Sequence, residues 1–223
     1  MSRVLLAILV TSLLAATPGC KTANAIAGSA LPNPVIDAPL AATKGEQTAV
    51  VAGGCFWGVQ AVFEHVKGVI SVRAGYSGGD ADTAHYEMVS AGNTGQAESV
   101  RIKYDPSRIS YGQLLKVYFA VAHDPTELNR QGPDTGPQYR SAIFFSTEEQ
   151  KKIADAYIAQ LNKAGVFKRP IVTQVVALKA FYEAEAYHQD YAVNHPDEPY
   201  IAINDLPKVT ELRKQLPELY VEK

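Results

Sequence analysis

Apolar segments of two kinds alternate along this chain of 223 residues, and this alternation limits the fold more than any other feature. Some segments are short runs of β-branched and aromatic residues, as in strands, whereas others repeat apolar residues at the spacing of an amphipathic helix. Strands and helices alternating within one domain imply a sheet with helices packed on it, although the strand order cannot be read from the pattern. We predict strands at residues 48–52, 69–76, 97–104, 139–146 and 171–178, helices at 56–67, 110–122, 147–164 and 209–216, and a Gly- and Pro-rich loop at 124–138.

The N-terminal residues have the pattern of a secretory signal peptide. A basic residue precedes an apolar run at residues 4–14, which is too short to cross a bilayer at about 20 residues per helix. Ala23-Asn24-Ala25 is an A-x-A cleavage site, so we expect a signal peptide at 1–25 and export to the periplasm or the extracellular space. The alternative is a lipoprotein acylated at Cys20, although Thr17 stands where an aliphatic residue is usual. Without that lipid, we expect no stable membrane insertion of the mature form.

Residues 26–47 follow as a predicted flexible linker. They hold Pro32, Pro34 and Pro39 among small residues, without alternation or helical periodicity. Residues 48–223 then form a single folded domain, which we expect to be a monomer. The chain has 21 basic and 23 acidic residues and a formal net charge of −2, so it lacks the positive excess that nucleic-acid binding needs.

A cysteine follows the first predicted strand in a setting that favours reactivity. The strand runs into Gly53-Gly54, and Cys55 then opens a helix in which apolar residues recur at helical spacing. A thiol at a helix N-terminus meets unpaired backbone N–H groups and the positive end of the helix dipole, and both favour the thiolate. The alternative is a small buried hydrophobe, the commoner fate of a free cysteine. The two glycines favour a nucleophile, because they give a substrate access to the backbone.

Two aromatic residues, Phe56 and Trp57, follow the cysteine directly. Beside an exposed thiol they could form the walls of a pocket for a small apolar group such as an S-methyl. Ordinary packing at the start of a helix explains them equally well, and the residues alone do not decide between the two interpretations.

Glu98 is the candidate proton donor. It shares its parity along the strand with Val100, Ile102 and Tyr104, the apolar set that should face inward. Burial disfavours the charged form of a carboxyl and raises its pKa, which suits a general acid near neutral pH. The alternative is an exposed glutamate at the start of the strand, and the pattern alone favours that alternative.

Histidines leave a second chemistry open. His85, His123, His188 and His195 lie in or near loops, and any of them could approach Cys55, so a Cys-His hydrolase remains an alternative. The scattered histidines lack the ligand spacing of a zinc site. No Gly-rich phosphate loop with its lysine is present. We therefore expect neither a metal nor another bound cofactor.

Several ordered blocks of sequence resemble the type A peptide-methionine sulfoxide reductases. The similarity covers residues 48–195, and five blocks in the same order at similar spacings make a chance match very improbable. The blocks are Gly54-Cys55-Phe56-Trp57-Gly58, Gly75-Tyr76-Ser77-Gly78-Gly79, Tyr86-Glu87-Met88-Val89, Gly92-Asn93-Thr94-Gly95-Gln96-Ala97-Glu98, and the run His123-Asp124-Pro125-Thr126 with Asn129-Arg130-Gln131-Gly132, Asp134 and Gln138-Tyr139-Arg140-Ser141.

The resemblance implies a fold and a mechanism. The fold is α+β, a two-layer sandwich with helices packed on a mixed sheet and a ferredoxin-like core. In the implied reaction the Cys55 thiolate attacks the sulfoxide sulfur while Glu98 protonates the oxygen, which leaves methionine and a Cys55 sulfenic acid. The implied substrate is the S epimer of methionine sulfoxide, free or in oxidised proteins. By the same resemblance Tyr86 and Tyr139 bind the oxygen, Phe56 and Trp57 form the methyl pocket, and Asp134 is a supporting acid.

Two departures from the family pattern affect these expectations. Many members carry recycling cysteines in a C-terminal tail, but residues 196–223 contain none. If Cys20 is removed or acylated, Cys55 is the single free thiol, and an external thiol must resolve the sulfenic acid. The candidates are a thioredoxin-like protein, a glutaredoxin-like protein and glutathione. Pro137 also restricts the loop that carries Tyr139. A non-catalytic secreted binding protein on the same scaffold is a third hypothesis.

Overall fold

The computed structural model describes residues 31–223, so the predicted signal peptide and Cys20 lie outside the described residues. Within residues 31–223, no helix is both long and apolar enough to span a bilayer. The strands are β1 (Gln47–Ala52), β2 (Val69–Ser77), β3 (Ala97–Tyr104), β4 (Arg130–Gln131), β5 (Asp134–Thr135), β6 (Ala142–Phe145), β7 (Gln174–Ala177) and β8 (Tyr182–Glu183). The helices are α1 (Phe56–Glu64), α2 (Tyr86–Val89), α3 (Tyr111–Val117), α4 (Glu148–Ala164), α5 (Tyr191–Asn194) and α6 (Leu206–Gln215), with π-helical turns at Tyr118–Ala122 and Ile201–Asp205.

Six strands form one mixed sheet in the order β7-β6-β1-β3-β2-β8. β6 and β7 are parallel, whereas the other neighbouring pairs are antiparallel. β1 lies inside the sheet, where Val51 is paired with Val100 of β3 and with Ile143 of β6. β4 and β5 form a separate two-stranded hairpin within the predicted loop.

The main core lies between one face of this sheet and the helices. Alternate strand residues such as Val51, Ile102 and Ile143 point toward α1, α3 and α4, because successive side chains of a strand face opposite sides. The other face carries a smaller cluster that includes Val50 and Phe144. These contacts confirm the α+β fold with helices packed on a mixed sheet.

Several element boundaries differ from the prediction, each for a local reason. The helix predicted at 110–122 is regular only to Val117, and a π-helical turn widens its end. The strand predicted at 139–146 begins at Ala142, because Pro137–Tyr139 forms a 3₁₀ turn. The C-terminal helix begins before residue 209, because Pro207 fits its first turn.

Residues 31–46 of the predicted linker contact the folded domain at several points. Residues 31–46 contain neither helix nor strand, but Leu31 is buried and the Tyr157 hydroxyl donates to the Pro32 carbonyl over 2.8 Å. Asp37 accepts hydrogen bonds from the Gly112 N–H at 2.7 Å and from the Ser110 hydroxyl at the start of α3. The proline-rich pattern predicts that this segment has no helix or strand. It does not predict these contacts with the folded domain.

Candidate active site

Two glycines allow the close turn between β1 and α1. A side chain at Gly53 would place its Cβ 2.8 Å from the His123 ring. Gly54 has φ of +85°, and a Cβ there would lie 2.5 Å from Gln131. Cys55 is consequently at the N-cap position of α1, as predicted.

All seven sequence-predicted site residues line one cavity of about 230 Å³. They come from distant parts of the chain: the β1–α1 junction, α2, β3, the β4–β5 hairpin and the 3₁₀ turn before β6. Glu198 and Tyr200, which the sequence did not single out, complete the wall. The lining residues are Cys55, Phe56, Trp57, Tyr86, Glu98, Asp134, Tyr139, Glu198 and Tyr200.

Glu98 is buried, with 3% of its surface exposed, so the exposed alternative is wrong. Its Oε2 accepts a hydrogen bond of 3.0 Å from the Phe56 N–H in the first turn of α1. Burial raises the pKa of Glu98 to about 8; the Phe56 N–H opposes this shift, while the charges of Asp134 and Asp205 add to it. The carboxyl is therefore mainly protonated at neutral pH and can give a proton to a bound oxygen.

Burial disfavours the Cys55 thiolate that the helix N-terminus was expected to favour. Burial raises the pKa of Cys55 well above its usual range, and the nearby carboxyls of Glu98 and Asp205 raise it further. The helix effect has the predicted sign, because the Trp57 N–H lowers the pKa, and the Lys208 charge also lowers it. The prediction considered the helix alone, and burial outweighs it.

Trp57 is held rigidly in the cavity wall. Its ring stacks on Tyr191 with centroids 3.9 Å apart, and its Nε1–H donates to Nδ1 of His188 over 3.2 Å. Phe56 is 1% exposed and packs against Tyr76 and His188, with centroid distances of 5.8 and 5.0 Å. The two aromatics thus combine the predicted pocket with ordinary core packing.

Tyr86 and Tyr139 line the same cavity. Burial raises the pKa of both, and the Glu98 carboxyl adds to the shift, so both hydroxyls stay protonated and can donate hydrogen bonds. Arg140 holds the turn that carries Tyr139, since its guanidinium donates to the carbonyls of Pro137 and Gly95 over 2.8 Å each. Pro137 opens this 3₁₀ turn, which is compatible with Tyr139 facing the cavity.

Asp134 is paired with a residue that the sequence did not reveal. The Tyr200 hydroxyl donates to Asp134 Oδ2, and the Tyr200 ring meets the edge of Trp57 at 6.1 Å. Burial raises the pKa of Asp134, and the Tyr200 hydrogen bond opposes that rise. Tyr200 precedes a π-helical turn in a stretch without motif or periodicity, so no sequence signal marks it.

A Tyr200→Phe variant is expected to lose about 3- to 10-fold in kcat/KM toward methionine sulfoxide, because a hydrogen bond to a charged group contributes about 1.5–3 kcal/mol and only part of it acts on the reaction. Steady-state kinetics at neutral pH measure the loss. Tyr187→Phe is the matched control, since Tyr187 belongs to the same C-terminal region and is exposed. Equal kcat/KM for wild type and Tyr200→Phe would show that the Tyr200–Asp134 hydrogen bond does not contribute to the reaction.

The geometry gives no support to a Cys-His hydrolase. No histidine belongs to the cavity lining in the part of the chain that the structure describes. His123 donates or accepts at Ser141 Oγ over 2.7 Å, and burial lowers its pKa to about 3. His188 is buried against Trp57. The described residues also contain no cluster of three or more His, Cys, Asp or Glu side chains that could hold a metal ion.

Comparisons with known proteins agree with this geometry. The sequence model of the family described as "Peptide methionine sulfoxide reductase" matches residues 47–219. "Peptide methionine sulfoxide reductase MsrA 2" of Mesorhizobium japonicum is 58% identical over 82% of this chain and 93% of its own length. The protein of the same name from Synechocystis sp. is 53% identical over 83% of this chain and 87% of its own.

Two solved structures are similar in fold. Reduced Mxr1 from Saccharomyces cerevisiae is 30% identical, with a TM-score of 0.61 over 70% of this chain and 92% of that chain. Methionine sulfoxide reductase A of Corynebacterium diphtheriae is 33% identical, with a TM-score of 0.59 over 76% of this chain and 85% of that chain.

Proposed function

The chain belongs to the peptide methionine sulfoxide reductase family, and from this premise we propose that Cys55 is its nucleophile and Glu98 its proton donor. It is an oxidoreductase that reduces methionine sulfoxide and repairs oxidised proteins. One observation carries the assignment of residues: a buried carboxyl and a cysteine line the same cavity, and the carboxyl accepts a hydrogen bond from the backbone N–H of the residue after the cysteine.

The reaction transfers one oxygen atom between two sulfur atoms. Cys55 loses its proton as its sulfur attacks the sulfoxide sulfur, and Glu98 protonates the oxygen as negative charge develops there. The oxygen passes to Cys55, so the methionine sulfur is reduced by two electrons and the cysteine sulfur is oxidised to a sulfenic acid. The proton lost by Cys55 restores Glu98, and the products are methionine and the Cys55 sulfenic acid.

The cavity wall offers a separate contact for each group on the sulfoxide sulfur. The hydroxyls of Tyr86 and Tyr139 hydrogen-bond the oxygen beside Glu98, while the S-methyl group lies against Phe56 and Trp57. The rest of the substrate extends out of the cavity, whether it is free methionine sulfoxide or part of an oxidised protein. The oxygen, the methyl group and the rest of the substrate thus each have a fixed direction around the sulfur. Such a site accepts one configuration at sulfur, which we propose is the S epimer.

An external thiol returns the enzyme to its starting state. Residues 31–223 contain Cys55 as their single cysteine, so no disulfide forms within this part of the chain. The proposed reductant is a thioredoxin-like protein, with a glutaredoxin-like protein or glutathione as the alternatives. The reaction as written uses no metal or other bound cofactor. We also propose that residues 1–25 direct export to the periplasm or beyond, on the strength of their signal-peptide pattern.

Mass spectrometry after a single turnover tests these proposals together. Purified protein is mixed with the S or the R epimer of methionine sulfoxide without a reductant. The S epimer is expected to add one oxygen atom to the peptide that contains Cys55 and to release one equivalent of methionine, whereas the R epimer does neither. The intact mass of exported protein gives its N-terminus and any lipid on Cys20.

The outcomes separate the three hypotheses and the reductants. A binding protein leaves both the substrate and Cys55 unchanged, and a hydrolase forms no methionine. Oxygen added elsewhere than Cys55 would contradict the assignment of the nucleophile. The oxidised protein is then treated with a reduced thioredoxin, a glutaredoxin with glutathione, or glutathione alone. The proposed order of reductants is wrong if glutathione restores the thiol as fast as thioredoxin.

A further inference from the structure

A buried ion pair lies at the junction between the second π-helical turn and α6. Asp205 is fully buried, and its Oδ1 lies 3.0 Å from Nζ of Lys208, whose side chain is 18% exposed. The other carboxylate oxygen has no hydrogen-bond partner in the described chain. Burying charges is costly even when they are paired, so a pair with one unsatisfied oxygen is weak as a stabilising device. The pair therefore calls for a role other than holding α6 in place.

This pair lies directly against the first turn of α1. A Cβ added to Gly58 would be 2.1 Å from Asp205 Oδ1 and 2.7 Å from Lys208 Nζ, so the absence of a side chain at Gly58 makes room for both charges. Gly58 is the third residue of α1, and Cys55 is the N-cap of the same helix, so both belong to its first turn. The Lys208 ammonium is consequently about one helical turn from the cysteine.

We propose that Lys208 is a positioning residue for the reductase reaction, in which its ammonium, oriented by Asp205 beneath the first turn of α1, stabilises the Cys55 thiolate during attack. The inference rests on the proposed function, because it concerns the ionisation of the proposed nucleophile. Asp205 orients the ammonium but also opposes its effect, since a carboxylate at the same place disfavours a thiolate.

The other titratable groups around Cys55 are carboxyls and hydroxyls, none of which can carry a positive charge. Glu98 comes from β3, Asp134 from β5 and Glu198 from the C-terminal segment, and all three line the cavity with the cysteine. The remaining titratable groups on that wall are the hydroxyls of Tyr86, Tyr139 and Tyr200. Lys208 is the cation whose charge acts in the opposite direction on the pKa of Cys55. An ammonium beside the first turn of α1, outside the cavity lining, favours the thiolate without entering the substrate space.

Site-resolved alkylation of the full chain tests the proposal without substrate. The rate of iodoacetamide addition to the Cys55 peptide is measured by mass spectrometry across pH for wild type and variants. Lys208→Met is expected to move the rate profile to higher pH and to slow alkylation about tenfold on its rising part, because one pKa unit is a tenfold change in thiolate. Lys208→Arg keeps the wild-type profile. Asp205→Asn moves the profile to lower pH.

Lys208→Met and Asp205→Asn are expected to shift the alkylation profile in opposite directions, which indicates an electrostatic role. If the ion pair only held the structure, both variants would shift the profile in the same direction. Lys214→Met is the matched control, because Lys214 lies on the same helix in an exposed pair with Glu211. Circular dichroism and Tm verify folding, and Lys208→Gln, which keeps a donor for Asp205, replaces Lys208→Met if the latter unfolds. The proposal is overturned if the alkylation profile of Lys208→Met matches that of Lys214→Met. It is also overturned if Asp205→Asn shifts the profile in the same direction as Lys208→Met. Single-turnover reduction by wild type is scored separately and tests the function itself.

Discussion

Cys55→Ser is expected to abolish the reduction of methionine sulfoxide, with a loss of at least about 10⁴-fold in kcat, which is the scale of removing a covalent nucleophile. A serine oxygen is a far weaker nucleophile than sulfur at neutral pH, and it cannot carry the transferred oxygen as a sulfenic acid. The release of methionine, followed by chromatography with excess thiol, measures the loss.

The second cysteine of the sequence supplies the control. Cys20→Ser is expected to leave the activity of the purified protein unchanged, because Cys20 precedes the region that matches the family. Binding of substrate to Cys55→Ser should persist, since the aromatic walls and the tyrosines are untouched. Residual turnover of Cys55→Ser above one per cent of wild type would show that another group attacks the sulfoxide.

Glu98→Gln is expected to lower kcat/KM by about 10²- to 10³-fold, within the range attributed to a general acid. The amide keeps an oxygen that can accept the 3.0 Å hydrogen bond from Phe56, so the fold of the junction should survive. Glu98 has a pKa of about 8, above its usual value, so the active protonated form is present at neutral pH and is lost as the pH rises through about 8. Wild-type activity therefore falls on the alkaline side, and this fall disappears in Glu98→Gln.

A second glutamate with a similar pKa makes the control specific. Burial also raises the pKa of Glu64 to about 8, and this residue ends α1 without lining the cavity. Glu64→Gln should keep both the rate and the alkaline fall. If the fall persists in Glu98→Gln and is lost in Glu64→Gln, Glu98 is not the acid.

The residues that the sequence could identify share one property: each belongs to a regular element or to a motif. Strand parity allowed an inward Glu98 although the pattern alone favoured an exposed one, and the glycine pair before a helix located Cys55 at its N-terminus. Tyr86, Tyr139 and Asp134 could be named only through the family resemblance, since loops and short turns have no period of their own. Tertiary packing then brought all of these residues to one cavity.

Features that depend on contacts between distant segments could not be predicted. The strand order follows from how six segments pair, and a hydrophobic pattern is the same for many orders. Tyr200 reaches the cavity, and Asp205 and Lys208 reach the first turn of α1, from a C-terminal stretch whose contacts depend entirely on where it folds back. The pKa of Cys55 could not be predicted for the same reason, because its burial, and the carboxyls that raise its pKa further, depend on other elements.

The stacking of Trp57 on Tyr191 has an optical consequence. The sequence has one tryptophan, and that indole lines the substrate cavity with its N–H on His188. The tryptophan emission of the whole protein therefore originates beside the reacting sulfur atoms, free of background from any other indole. Arrival of a sulfoxide, oxidation of the neighbouring cysteine and its later reduction all alter the surroundings of this chromophore, so each step of a catalytic cycle can be timed in a stopped-flow fluorimeter without attaching a label.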